Sequence, residues 1–108
     1  MDEQKRLKQL AVEMRRFLMM APGARWVMRE WNQGLQMVLH RDGHLWRLAL
    51  GRAKRQPSEE EIETCRQMFE VPTGTEVAPV AMGRRNIVAV EMRWREAESA
   101  LEERARET

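Results

Sequence analysis

The chain has 108 residues, 19 Lys+Arg against 17 Asp+Glu for a formal net charge of +2, and 43% hydrophobic residues. A chain this long fits one domain that buries about 65% of the surface its unfolded form exposes, so a core without disulfides or metal is feasible and large multidomain enzyme folds are excluded. Four Trp and nine Met beside 33% charged residues are too apolar for a disordered chain and too dispersed for a membrane span.

The first twenty residues are charged from the outset, with Asp2, Glu3, Lys5, Arg6 and Lys8. Leu7, Leu10, Ala11, Met14, Phe17, Leu18 and Ala21 recur at i, i+3, i+4 and i+7, which predicts an amphipathic helix over residues 1–21. Pro22 and Gly23 stop it, one for want of an amide and the other by its tolerance of a left-handed turn. The longest apolar run, Phe17 to Ala21, is too short for a signal peptide.

Three short runs follow, Arg25–Trp31, Leu35–Arg41 and His44–Gly51, rich in Trp, Val, Leu and Met and divided by Asn32-Gln33-Gly34 and Asp42-Gly43. They predict a three-stranded antiparallel meander. With Asp-Gly at the centre of a type I′ turn, Arg41 should face His44, Leu39 Trp46, Met37 Leu48, and Leu35 Leu50, collecting six large apolar side chains on one face. The other face would pair His40 with Leu45, Val38 with Arg47 and Gln36 with Ala49. In the first strand, the loop length at Gln33-Gly34 decides whether Trp26 and Met28 or Val27 and Trp31 point inward.

Pro57-Ser58 before Glu59, Glu60 and Glu61 predicts a helix start with Ser58 as N-cap and Glu61 closing a capping box. Ile62, Cys65 and Phe69, with Met68 beside them, form its buried stripe, and Val71-Pro72 ends it. Glu76–Met82 reads as an edge strand because of Pro79. Gly83-Arg84-Arg85-Asn86 turns the chain, and Ile87–Trp94 alternates with Val88, Val90, Met92 and Trp94 on one face. Residues 95–108 are good helix formers with Trp94, Ala97, Leu101 and Ala105 as a thin apolar stripe. The expectation is a single α+β domain over residues 1–108, in the order αβββαββα. Its antiparallel sheet would be built from a three-stranded meander and a C-terminal hairpin, with helices packed on it.

Charge is uneven along the chain. Residues 1–56 hold 12 Lys+Arg and 5 Asp+Glu, a net +7, and residues 57–108 hold 7 and 12, a net −5. Sixteen of the 19 basic residues are arginine, suited to flat bidentate contacts with carboxylate or phosphate. The single cysteine, Cys65, cannot form an internal disulfide and points to a reducing, cytoplasmic setting. Its place on an apolar helical stripe predicts a thiol pKa raised by burial, in a structural role.

His40 and His44 flank a hairpin turn and point to opposite sides of the ribbon, so they do not make a metal site. His40-Arg41-Asp42 spells the start of a kinase catalytic loop, but the chain lacks that fold's length, glycine-rich loop and metal ligands. No glycine-rich phosphate loop or nucleophile elbow is present. The expectation is a non-catalytic binding module without cofactor or metal. Two partner classes compete. Arg47, Arg52, Lys54 and Arg55 at the end of the third strand, with Arg84 and Arg85 in the second hairpin and His40 and a tryptophan on a sheet face, would suit nucleic acid. Surplus Met, an exposed Val38 and Leu45, and the stripe Trp94, Ala97, Leu101 and Ala105 would suit a protein partner or homo-oligomerisation.

Overall fold

The computed structural model describes residues 3–20, 25–32, 34–83 and 86–96. In chain order they form α1 (Glu3–Met19), β1 (Arg25–Asn32), β2 (Leu35–Asp42), β3 (Leu45–Ala53), α2 (Glu59–Met68), β4 (Val77–Val80) and β5 (Ile87–Arg95). The meander and the second hairpin join in one antiparallel sheet of order β1-β2-β3-β5-β4, which bears out the α+β expectation. The expected last helix falls mainly on residues 97–108, outside the described residues. Its first residue, Arg95, instead closes β5, and Trp94 lies within that strand.

Both helices pack on one face of the sheet. Ala11, Met14 and Leu18 of α1, Ile62 and Cys65 of α2 and its C-cap Phe69 cover Leu35, Met37, Leu39, Trp46, Leu48, Leu50, Val90 and Met92. Burying each large side chain contributes roughly 1.5–3 kcal/mol. Phe17, placed on the buried stripe by periodicity, is 47% exposed; it sits one residue, about 100° of helix, away from the fully buried Leu18. Trp46 and Trp94 oppose each other across β3 and β5 and stack with ring centroids 6.1 Å apart.

α2 starts and stops by side-chain and backbone chemistry visible in its sequence. Ser58 Oγ accepts from the Glu61 amide at 3.1 Å and the Glu61 carboxylate accepts from the Ser58 amide at 2.9 Å, completing the capping box. At the other end Glu70 takes a positive φ of 54°. Its amide donates to the Gln67 carbonyl and that of Val71 to the Arg66 carbonyl, a Schellman closure followed by Pro72.

The β2–β3 register differs from the expected one. A type I′ turn centred on Asp42-Gly43 needs positive φ at both residues, but among the described residues only Lys54 and Glu70 do so without being glycine, while Gly43 has φ 63°. The turn therefore centres on Gly43-His44, with Asp42 opposite Leu45. Arg41 faces Trp46, Leu39 faces Leu48, Met37 faces Leu50 and Leu35 faces Arg52. The slip is two residues, so every side chain keeps its expected face. In β1, Asn32 opposite Leu35 fixes a two-residue loop. Met28 is packed against the core, whereas Val27 and Trp31 lie exposed on the other side.

Candidate nucleic-acid interface

The face of the sheet away from the helices is assembled by register. In one row across four strands stand Val27, His40, Arg47 and Arg93. The next row holds Arg29, Val38, Ala49 and Glu91, and the one beyond it Trp31, Gln36, Gly51 and Ala89. Arg25, Asp42, Leu45 and Arg95 form the row at the Gly43 turn. By register the face thus carries five arginines, Arg25, Arg29, Arg47, Arg93 and Arg95, against two carboxylates, Asp42 and Glu91. Trp31 is 51% exposed on this face, with Val27 at 44% and Leu45 at 54%.

Glu91 is the organising group. Its buried carboxylate accepts from Arg93 Nε at 2.6 Å and lies 3.8 Å from Arg47 Nε. A guanidinium carries five N–H donors in a fork that matches phosphate, and contact through Nε engages only one of them. Arg25 is held by Asp42 differently, through both Nε at 3.1 Å and the terminal Nη2 at 2.9 Å. His40 lies directly opposite Arg47. Partial burial and the Arg47 charge hold its imidazole below its ordinary pKa, with Arg25 acting in the same direction and Asp42 opposing them.

The other expected phosphate contacts are elsewhere. Arg52 is turned to the helix side and bound to the Glu61 carboxylate through Nε, at 3.0 and 2.8 Å, and through Nη2. Arg55 lies 3.9 Å from the same carboxylate, and Lys54 is exposed in the β3–α2 loop, its amide donating to the Asn86 carbonyl. Arg84 and Arg85 lie outside the described residues. Of the expected interface residues, the structure brings together His40 and Arg47 on the face away from the helices; the centre of that face, Ala49, Ala89, Glu91 and also Val38, which was expected to be exposed, is buried. Of the expected assembly stripe, Ala97, Leu101 and Ala105 are outside the described residues, and Trp94 is half-buried in the core against Trp46.

The opposite charges of the two chain halves meet in ion pairs, some on the surface and one buried. Arg15–Glu70, Arg41–Glu96, Arg47–Glu91, Arg52–Glu61 and Arg55–Glu61 each join a residue of the basic half to one of the acidic half. Arg41 is the most buried of these, at 2% exposure. Its Nη1 donates to the Leu18 carbonyl at 2.9 Å and its Nη2 to Glu96 at 3.1 Å, while the guanidinium lies 5.4 Å from the Trp46 ring centroid. It ties the end of α1 to the end of β5. Burial pushes the Cys65 thiol up to about 12, with the Glu61 charge adding to it. Among the described residues, no three His, Cys, Asp or Glu side chains gather as metal ligands, and no helix is long and apolar enough to cross a membrane.

No protein-family model, curated protein or solved structure matches the chain.

Arg25, Arg29, Arg93, Arg95, Asp42 and Glu91 are the charged members of this face that sequence reasoning missed. Arg93 alternates with Met92 and Trp94, so its outward direction was readable; that it stands beside Arg47 depends on the β3–β5 register, which no turn between those strands specifies. Arg29 shares its face with Trp31, and the undecided loop at Gln33-Gly34 hid both. The burial of Arg41 did have a signal: a charged residue in phase with Leu35, Met37 and Leu39 points into the core and demands a partner there.

Proposed function

We propose that the protein is a non-catalytic module that binds single-stranded nucleic acid through the arginines and Trp31 on the face of its sheet away from the helices. The observation that carries the reading is the row His40, Arg47, Arg93 with Arg29 and the exposed Trp31 two rows or fewer away. Neighbouring strands are about 4.8 Å apart, so the row spans about 10 Å of backbone-contacting surface. Phosphate-directed forks beside an aromatic stacking surface are the combination that binds single strands without strong sequence preference. A five-stranded face is too broad for the duplex major groove, which admits one helix or a two-stranded ribbon. That favours a single strand.

The test is fluorescence anisotropy with labelled oligothymidine and oligouridine across salt concentrations. Arg47→Gln with Arg93→Gln should weaken binding to every sequence and reduce the salt slope by about 1.4, at about 0.7 for each phosphate that is no longer neutralised. Trp31→Ala should cost roughly 1–3 kcal/mol while leaving the slope in place, because stacking releases no counterions. Absence of binding to either oligonucleotide at low salt would overturn the proposal. A protein partner is the second reading, favoured by the apolar exposure of Val27, Trp31 and Leu45 on the same face.

A further inference from the structure

The two edges of the sheet are built differently. β4, at one edge, is four residues long and contains Pro79, and such short, proline-bearing edges resist pairing with another chain. β1, at the other edge, is eight residues long, has no proline, and pairs with β2 residue for residue from Arg25 to Asn32 without a bulge. Among the described residues its outer side has no neighbouring strand. Val27 and Trp31 stand exposed along it.

We propose that β1 pairs antiparallel with β1 of a second copy of this chain, joining two five-stranded sheets into one of ten strands. The charges on the strand select this occupant and its register. When both copies present the same face, residues opposite each other must have the same parity. A two-fold axis at Val27 would set Arg25 against Arg29, and an axis at Arg29 would set that arginine against itself; like charges directly opposed destabilise a pair. With the axis at Met28, Arg25 stands opposite Trp31 of the second copy and Val27 opposite its Arg29. Arg25 is held by Asp42 through the edge of its guanidinium, leaving the flat face available to an indole ring. The strand is self-complementary in that register alone among the three.

This inference stands independently of nucleic-acid binding, although it would make the two basic faces continuous. Light scattering of the full chain without oligonucleotide should give twice the chain mass at high micromolar concentration, and a monomer mass there overturns the proposal. Register is read with two single-cysteine additions at exposed positions, Val27→Cys and Arg29→Cys, in a chain whose own Cys65 is buried. Mixed and mildly oxidised, the two variants should form a disulfide-linked pair with each other, and each alone should not. A dimer that yields no such link, or one in which either variant links to itself, overturns the pairing at Met28.

Discussion

Replacing Glu61 with Gln separates two roles of one carboxylate. Gln keeps an oxygen that can accept the Ser58 amide, now 2.9 Å from the carboxylate, so the capping box survives. What is lost is the charge that binds Arg52, a pair whose side chains are 17% and 21% exposed. Arg52 is the main reason the Glu61 carboxyl is held at about 2 rather than its ordinary 4.5; the Ser58 hydrogen bonds add to it and partial burial opposes it. At about 1.36 kcal/mol per pH unit that difference bounds the contribution at about 3 kcal/mol, and solvent screening of a part-exposed pair brings the expected loss to about 1–2 kcal/mol. The folded pKa lies below the unfolded one. The contribution is therefore complete above about pH 5 and fades as the pH falls toward 2. Urea unfolding followed by tryptophan fluorescence should show a midpoint lowered by about 0.5–1 M at neutral pH, for a slope of about 2 kcal/mol/M. The gap between Glu61→Gln and the parent should close near pH 2. A gap of equal size at pH 3 and pH 7 would refute the electrostatic account and return the effect to helix capping. Ser58→Ala supplies the control, costing about 1 kcal/mol through the missing cap.

Gly51→Ala should destabilise the fold although alanine is the better strand residue: the added carbon would lie 2.6 Å from Ile87 Cγ2 and 2.8 Å from Met82 Sδ. Overpacking costs about 1–3 kcal/mol against the ~0.5–1 kcal/mol that removing a glycine returns, and an unchanged or raised melting temperature would refute it. Cys65 should resist alkylation in the folded protein at pH 8 and react at the rate of unfolding, since burial holds its thiol near about 12; fast modification of native protein would contradict that. The same thiol ionises near about pH 8.5 in the unfolded chain, so stability should decline as the pH rises above that value, measured by urea midpoints at alkaline pH.

The pattern of the chain reveals elements and faces more readily than partners. Alternation places Leu35, Met37, Leu39, Trp46, Leu48 and Leu50 on one side, and all are buried, even though the turn sits one residue further along than Asp42-Gly43 suggests. An even slip moves every cross-strand pair and no face, so the core is unaffected by a displacement that rearranges the neighbours of His40. The Ser58 cap was readable because both its partners lie within three residues. By contrast the pairings Trp46–Trp94, Arg47–Glu91 and Arg41–Glu96 join positions separated by more than forty residues, with α2 and β4 between them. Nothing local encodes them. The charge imbalance between the halves was visible in the sequence, but two of the ion pairs that join them, Arg47–Glu91 and Arg41–Glu96, needed the placement of β5 beside β3.

β5 is the last of the five strands to leave the ribosome and lies between β3 and β4. Until residues 87–95 emerge, Leu48 and Leu50 have no Met92 and Val90 beside them, and β4 has no neighbour at all. The meander of β1, β2 and β3 is assembled from local hairpins while synthesis continues, whereas insertion of β5 is a distant closure that comes late. A stalled or truncated chain would hold an open β3 edge in the meantime. Newly made protein therefore passes through a stage at which β3, the middle strand of the finished sheet, is an open edge in addition to β1.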